Sequence, residues 1–384
     1  MSSSSQCSTL LPEEVMMEIL SRVPVKDLVR FRCTSKWMNH LVLDRAFVKL
    51  HLQRCSKNTN ILLTIGNYES NETMYCATSL SLQSFLQHPS STIGHSHRFN
   101  RNYNVLGVCN GLVCLQDSHY GFDGQELCVR FWNPSTRLMS EDSPRLRIPS
   151  NDFGYPFQFG FGYDDWSDTY QVVLCDNKSQ KMEVSVHSLG DSCWRNVLSC
   201  NALVTLSLYG AYVCGTVNWL AVPKFDYAFQ WKNVSMNELI IFSYDVKNEK
   251  CNYLSVPDVD CEVTPEVPVI EVLKGCLCLN HRQGTQLRVW TMREFGVAKS
   301  WTPLLNINYE DLNIHVLHGM PTTPVILCVS ENDNVLLRGS YDTAEFIMYN
   351  KKDNKILRYE VFEDNDFYCF SYDYVHSLVL PYGN

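Results

Sequence analysis

A few closely spaced cysteines in this 384-residue chain are candidates for binding a metal ion. Four residues separate Cys109 from Cys114, and one residue separates Cys276 from Cys278. Zinc sites use thiolates at short, repeated spacings near turns. These four cysteines lie instead inside apolar segments that are typical of inner β-strands, where a thiol behaves as a small buried hydrophobe. The sequence therefore favours structural thiols and predicts no metal.

Two further clusters contain residues that could bind a cation or catalyse a reaction. His95 and His97 in "GHSHR" have no acidic or cysteine neighbour, which favours a polar loop. The segment "FGFGYDDWSD" (159–168) groups three aspartates with glycine but lacks the residue order of an EF-hand, so we expect a turn that connects neighbouring structural repeats. No phosphate-binding loop, dinucleotide-binding glycine motif or serine elbow occurs. The sequence predicts no catalytic residue, no cofactor and no enzymatic activity.

The charge is unevenly distributed along the chain. Residues 1–50 carry seven Lys or Arg and five Asp or Glu, net +2, whereas the remainder carries 25 basic and 36 acidic residues, net −11. An acidic body binds nucleic-acid phosphates poorly and suits a basic protein partner. No apolar run reaches the roughly 18 residues of a membrane span, and no secretory signal begins the chain. With 17 cysteines, we expect a reducing compartment, the cytoplasm and/or the nucleus.

The first part of the chain has a helical pattern. Pro12 and the two glutamates after it suit the first turn of a helix, apolar residues recur on one face as far as Val23, and Pro24 ends the helix. Three more short helices are predicted within 25–33, 35–43 and 45–53. A bundle of about 40 residues rarely stabilises itself, and this one has more apolar residues than it can bury. We therefore expect this helical head to pack on the following domain or to bind another protein.

The segment "LPEEVMMEILSRVPVKDLVRFRCTSKWMNHLV" (11–42) closely resembles the F-box of plant F-box proteins. The resemblance includes the opening Leu-Pro, the Ile-Leu pair, the "RVPVKDL" turn, and "RFRC" followed by Ser-Lys. The family has a Trp two residues after that Lys; here Trp37 follows Lys36 directly and Met38 takes the usual Trp position.

This resemblance implies that the head binds the Skp-family adaptor of an SCF-type cullin–RING ubiquitin ligase. The cullin scaffold and the RING subunit would be reached through that adaptor, and the rest of the chain would select a protein substrate. The residues expected to bind the adaptor are Leu11, Pro12, Val15, Ile19, Leu20, Val23, Leu28, Phe31, Lys36 and Trp37.

After residue 60 the pattern changes to short apolar runs separated by turns, which is typical of β-strands. A weak repeat consists of a strand with an aromatic residue or His, a polar turn and a second strand. Its anchors, 55, 57, 46 and 59 residues apart, are Trp132, His187, Tyr244, Trp290 and Tyr349. This spacing is close to the kelch period of roughly 50 residues. We therefore predict a mainly β fold: the small helical head followed by a kelch-like β-propeller of about six blades. We expect "SYDYVHSLVL" to pair with "NILLTIG" (60–66) and close the ring.

The segment from about residue 100 to about residue 260 resembles the F-box-associated domain of the same plant group, which includes S-locus F-box proteins. The pieces that carry the resemblance are "GVCNGLVCL", "FWNPSTR", "FGFGYDDWSDTYQVV" and "GTVNWLA". The implied organisation is a disordered lead (1–8), an F-box domain (9–55) and a propeller-like domain (60–384). Such domains are implied to be substrate receptors without chemistry of their own.

Two loops rich in aromatic and acidic residues are candidates for the substrate site. Aromatic side chains in exposed loops are frequent hot spots, and acidic neighbours would attract a basic target. The aromatics could equally fill gaps between blades. The candidate residues are Phe225, Tyr227, Phe229, Trp231, Glu363, Asp364 and Asp366.

Two other functions are compatible with the sequence. An F-box protein can act with the adaptor alone as a scaffold outside a ligase, and the sequence does not separate this role from that of a substrate receptor. A propeller enzyme with an incidental helical head would need a convergent metal or carboxylate cluster, and the sequence contains no visible one.

Overall fold

The computed structural model describes residues 11–55, 60–69, 72–87, 97–99, 101, 103–121, 124–149, 157–178, 181–201, 203–205, 207–223, 234–259, 267–312, 324–329, 334–338, 345–360 and 366–382. A helical head is followed by six antiparallel sheets of four or five strands, whose inner strands contact one another in a ring around a central channel. The predicted helical head and mainly β propeller are confirmed, with six blades. No helix within the described ranges is long and apolar enough to span a membrane.

Four helices form the head, in agreement with the sequence pattern. Pro12 and Pro24 occupy the N-cap positions of the first two helices. Ser35 caps the third, since its side chain accepts a hydrogen bond from the backbone nitrogen of Met38 at 3.1 Å. The helices are α1 (Glu13–Leu20), α2 (Val25–Phe31), α3 (Lys36–Leu43) and α4 (Arg45–Cys55).

The strands follow one another blade by blade, and we number the blades I to VI along the chain. Blade I contains β1 (Asn60–Glu69), β2 (Glu72–Ser81) and β3 (His97–Arg98), with helix α5 (Leu82–Gln87) after β2. Blade II contains β4 (Asn104–Cys109), β5 (Leu112–Gly121), β6 (Gly124–Asn133), β7 (Leu138–Met139) and β8 (Leu146–Pro149). Blade III contains β9 (Gln158–Asp164), β10 (Thr169–Lys178), β11 (Lys181–Ser188) and β12 (Arg195–Asn201).

Blade IV contains β13 (Val204–Thr205), β14 (Ala211–Val213), β15 (Thr216–Val222), β16 (Ile240–Asp245) and β17 (Lys250–Ser255). Blade V contains β18 (Val269–Leu273), β19 (Cys276–Gln283), β20 (Gln286–Met292) and β21 (Trp301–Asn308), with helix α6 (Tyr309–Leu312) after β21. Blade VI contains β22 (Val325–Val329), β23 (Asn334–Arg338), β24 (Glu345–Asn350) and β25 (Lys355–Glu360). The last strand, β26 (Asp366–Tyr374), returns to blade I.

The ring closes where β26 pairs antiparallel with β1. Asn60 lies opposite Tyr374, and Leu63 lies opposite Ser371. This pairing confirms the predicted closure and removes two exposed sheet edges. The predicted C-terminal strand is too long, however, because pairing with β1 ends at Tyr374, and residues 375–380 leave the sheet and run towards the head.

Two kinds of turn connect neighbouring strands within the blades. Asn110 and Gly111 connect β4 to β5 with positive φ angles of 51° and 77°, as a two-residue turn of type I′ requires. The turn after β6 is different: Asn133 accepts hydrogen bonds from the backbone nitrogens of Ser135 and Thr136 at 2.8 and 3.3 Å. Side chains at strand ends cap the equivalent turns in blades IV and VI, which explains the polar spacers of the sequence repeat.

The five anchors of the sequence repeat all lie on the third strand of a blade, counted outwards from the strand that lines the channel. Four of them are buried and the anchor of blade V is half-buried; in chain order they are Trp132, His187, Tyr244, Trp290 and Tyr349. Their strands carry the hydrophobic clusters between neighbouring blades, so the weak repeat in the sequence identifies the structural unit correctly.

Candidate protein-binding surfaces

The metal and catalytic candidates of the sequence analysis have structural roles. Cys109 and Cys114 are buried on neighbouring strands of blade II, where burial raises the pKa of both thiols. Cys278 is also buried, and burial raises its pKa to about 12. His97 stacks on Trp132 with ring centroids 4.8 Å apart, and burial lowers its pKa; His95 lies outside the described residues. Within the described part of the chain, no group of three His, Cys, Asp or Glu residues could hold a metal ion.

The aspartate-rich segment forms the turn between β9 and β10. Asp164 caps this turn by accepting a hydrogen bond from the backbone nitrogen of Trp166 at 2.9 Å. The expectation of a turn is therefore correct, although it joins two strands of one blade and does not connect neighbouring repeats. The glycines before it allow close packing: a Cβ on Gly160 would lie 2.3 Å from Val217 of blade IV.

The head exposes four large apolar side chains to solvent. Leu11 is 53% exposed, Val15 41%, Ile19 51% and Phe31 41%. These four are among only ten exposed large hydrophobic residues in the described chain, so nearly half of such residues fall within its first twenty-one described positions. We call these four residues the apolar face. A concentration of exposed apolar surface of this kind is typical of a protein-binding site.

The remaining residues predicted to bind an adaptor lie on or behind this surface. Pro12 and Lys36 are exposed. Leu20, Val23 and Trp37 are half-buried and pack against the core of the head. Leu28 is fully buried in that core together with Met38, so it supports the helices and presents no surface of its own in the free chain. The helical periodicity of the sequence did not distinguish the exposed residues from those that are buried in the core of the head.

The opposite side of the head rests on blades II and III. Val48 and Leu52 of α4 pack against a buried cluster that includes Phe161 and Tyr170. At the edge of this contact, Lys49 Nζ lies 2.9 Å from a carboxylate oxygen of Asp168, in the turn between β9 and β10. Apolar burial and an ion pair thus attach the head to one face of the propeller, which we call the head face.

The carboxylate of Asp168 is ionised in this contact. Partial burial opposes its ionisation, but hydrogen bonds from Tyr163 and Lys49 and the charges of Lys49 and Arg45 outweigh burial, so the pKa of Asp168 lies below its usual value. The pair is partly exposed, with 46% of the Lys49 side chain accessible. Solvent and salt therefore weaken it, and the apolar packing supplies most of the attachment.

The C-terminal segment 375–380, which we call the tail, joins the head to the propeller. Asn133 donates hydrogen bonds from Nδ2 to the carbonyl oxygens of Ser377 at 3.0 Å and Val379 at 2.7 Å. Leu378 is buried in the core of the head, while Val379 packs in the cluster between blades II and III. At Gly111, a Cβ would lie 2.3 Å from the carbonyl oxygen of Val375, so only glycine allows the tail to pass this close. The sequence analysis did not predict that the tail connects the head to the propeller.

The strand directions place the predicted substrate loops away from the head. Tyr374 ends β26 on the head face, where its hydroxyl group lies 2.7 Å from Ser135 Oγ. Asp366 begins the same strand, eight residues earlier, and so lies about 26 Å away at the opposite end of the blade. By the same alternation, β15 ends and β16 begins on that opposite face, which we call the far face.

The candidate substrate residues themselves are not placed by the structure. Those that lie outside the described residues are Phe225, Tyr227, Phe229, Trp231, Glu363 and Asp364. The backbone of Asp366 is placed in β26, but its side chain is not described. The segments that contain them are attached to strand ends on the far face, which is all that the fold says about them.

The central channel contains carboxylates that the sequence analysis did not single out. Asp373 and Glu271 line a cavity of about 250 Å³ between the innermost strands. Asp373 is exposed to the solvent of the channel, but protein surrounds its carboxylate, and this desolvation raises its pKa to about 6. Glu271 accepts a hydrogen bond from the backbone nitrogen of Ile326 at 3.2 Å, which connects blades V and VI.

A helical head with an exposed apolar face, mounted on a six-bladed propeller, defines a protein-binding module. Comparison with known families agrees: residues 9–50 match the F-box domain, and residues 67–380 match the F-box associated β-propeller domain. The chain belongs to the family of F-box proteins with an F-box associated β-propeller domain.

Similar proteins occur in Arabidopsis thaliana. An F-box/kelch-repeat protein is 30% identical over 315 residues, which cover 77% of this chain and 79% of that protein. The F-box protein CPR1 is 29% identical over 317 residues, covering 77% of this chain and 73% of that protein. Among solved structures, the β-propeller domain of the Trilobed protease from Pyrococcus furiosus matches with a TM-score of 0.35 and 7% identity, over 78% of this chain and 93% of that one.

Proposed function

We propose that this protein is the substrate-recognition subunit of an SCF-type cullin–RING ubiquitin ligase. The observation that carries the proposal is the apolar face of Leu11, Val15, Ile19 and Phe31, which stays exposed although the other side of the head is buried on the propeller. Membership of the F-box family supports a Skp-family adaptor as the partner that would cover it. The cullin and the RING subunit are reached through the adaptor.

The proposed adaptor site has a surface layer and a supporting layer. Direct contact is assigned to the four residues of the apolar face together with Pro12 and Lys36, all of which are exposed. Leu20, Val23, Leu28 and Trp37 hold the helices in position from behind. Burying exposed Leu and Ile side chains contributes roughly 1.5–3 kcal/mol each when burial is complete, which makes the surface layer the energetic centre of the proposed interface.

The propeller is proposed to bind the target on its far face. The head occupies the head face, so an adaptor bound to it leaves the far face accessible to a second protein. The acidic balance of the chain after residue 50, net −11, suits a basic target. Phe225, Tyr227, Phe229 and Trp231 are the proposed anchors, with Glu363, Asp364 and Asp366 supplying negative potential. In this role the protein is non-catalytic, uses no cofactor and acts in the cytoplasm and/or nucleus.

Affinity purification of the full chain from plant cells, with protein degradation blocked by a proteasome inhibitor, tests this function. A substrate receptor recovers the adaptor and the cullin together with a third protein that accumulates under inhibition. Recovery of the adaptor without the cullin would indicate a scaffold outside a ligase, and recovery of neither would contradict the proposal. A chain carrying Phe225→Ala, Tyr227→Ala, Phe229→Ala and Trp231→Ala should keep the adaptor and lose the third protein.

A further inference from the structure

A cleft of about 740 Å³ separates the head from blade II, beside the contacts that hold the turn after β6 and the tail. One wall is formed by the turn after α1 and by α2. The other wall is the turn after β6, and Asn60 of blade I and His376 of the tail also line the cleft. The propeller wall is fixed, because Asn133 caps the turn and also holds the tail. The cleft is therefore a concave site with at least one preformed wall.

Its lining is basic in an otherwise acidic protein. Arg22, Lys26 and Arg30 enter from the head and Arg137 from the propeller, and no Asp or Glu among the described residues lines it. The head carries a net charge of +2 over residues 1–50, whereas the rest of the chain carries −11. The two walls of the cleft therefore concentrate positive charge in a protein whose net charge is negative.

Two of the four cations are partly neutralised. Arg22 lies 2.8 Å from Glu18 and Arg30 lies 3.2 Å from Asp27, but both pairs are exposed to solvent and are therefore weak. In the described part of the chain, neither Lys26 nor Arg137 forms an ion pair. The cleft consequently has a net charge of about +2 after these pairs are counted, with the two unpaired cations on opposite walls.

Arg137 is held in a defined position. It ends the turn after β6 with a φ of 61°, and its backbone nitrogen donates a hydrogen bond to the carbonyl oxygen of Asn133 at 2.8 Å. A residue other than Gly or Asn is uncommon at this angle. The equivalent position in blade VI is Asn354, with a φ of 49°. Blade VI thus has a neutral residue where blade II presents a cation to the cleft.

We propose that this cleft binds an acidic peptide segment of a partner protein. Cations on both walls match carboxylates spaced along an extended chain, and the apolar residues between them, Pro24, Val29 and Pro134, suit its aliphatic parts. A long nucleic acid fits less well, because the acidic body around the cleft repels a continuous phosphate backbone. The proposal does not depend on adaptor binding, because it concerns a different surface of the head.

The test uses the full chain and a fluorescein-labelled octapeptide of alternating Glu and Ala, measured by fluorescence anisotropy at low and physiological salt. We expect saturable binding that weakens as salt increases, and at least tenfold weaker binding of the same peptide with Gln in place of Glu. Absence of saturable binding, equal binding of the Gln peptide, or tighter binding of a single-stranded oligonucleotide would overturn the proposal.

Matched variants locate the site. Lys26→Gln with Arg137→Asn removes two cations while keeping a residue that tolerates positive φ, and should weaken binding at least fivefold. Lys351→Gln with Lys352→Asn makes the same charge change in the equivalent turn of blade VI and should change binding less than twofold. Equal losses in the two variants would contradict the location. If the first variant melts at a lower temperature than the wild type, Lys26→Gln alone, on the exposed surface of α2, gives the comparison.

Discussion

Asn133 donates a hydrogen bond from Nδ2 to the carbonyl oxygen of Val379 at 2.7 Å, across 246 positions of the chain. The same side chain accepts hydrogen bonds from the turn that follows β6, so one residue fixes both that turn and the tail. Because Leu378 beside Val379 is buried in the head, this bond controls how the head is attached to the propeller.

Asn133→Asp tests this attachment. Aspartate keeps the oxygen that caps the turn but loses the donations to the tail and buries a charge against its carbonyl oxygens. We expect a loss of about 2–4 kcal/mol in the free energy of unfolding, measured by urea denaturation. Asn350→Asp makes the same change at the equivalent turn of blade VI, where the amide donates to the side chain of Asn334 at 2.8 Å and to no tail, and should cost less because that position is only partly buried. Equal losses at the two positions would show that the bonds to the tail contribute nothing.

Leu378→Ala removes the side chain that the tail contributes to the head. The residue is 2% exposed and lies among Leu28, Met38 and Phe47. Truncating a buried Leu to Ala typically costs 2–5 kcal/mol, so we expect a lower melting temperature and faster proteolysis of the head than of the propeller. Tyr382→Ala, at an exposed residue nearby, provides the control. A variant that resists protease as well as the wild type would contradict the bridging role of the tail.

The long-range character of this bridge explains why the sequence did not predict it. The propeller could be predicted because Trp132, Tyr244 and Tyr349 repeat within local patterns of strand, turn and strand. Residues 375–380 are mostly apolar, as the strands are, and nothing local indicates that their partners are Asn133 and the head. Similarly, helical periodicity groups Leu28 with Phe31, whereas only tertiary packing decides that the first is buried and the second exposed.

Asp373 in the central channel should make stability depend on pH. Its carboxyl group has a pKa of about 6 in the folded protein, compared with 3.8 for an ordinary Asp. Between these values the folded state binds more protons than the unfolded state, so the free energy of unfolding falls as pH rises from about 4 through about 6. Asp373→Asn removes this effect and should be more stable than the wild type above pH 6, with a difference that shrinks towards pH 4.

Melting temperatures at pH 7.5 and pH 5 measure the effect of Asp373→Asn. The exposed Asp353 provides a control. Asp353→Asn should change the melting temperature by the same small amount at pH 7.5 and at pH 5. If Asp373→Asn melts no higher than the wild type at pH 7.5, desolvation in the channel is not what raises this pKa.

The affinity of the full chain for a Skp-family adaptor tests the central proposal most directly. Leu11→Ala with Ile19→Ala removes two side chains of the apolar face, and we expect at least tenfold weaker binding by calorimetry with an unchanged melting temperature, since both residues are exposed. Val297→Ala with Leu357→Ala truncates two exposed apolar side chains of the propeller and should leave the affinity unchanged. Wild-type affinity in the Leu11 and Ile19 double variant would contradict the assignment of the apolar face as the adaptor site.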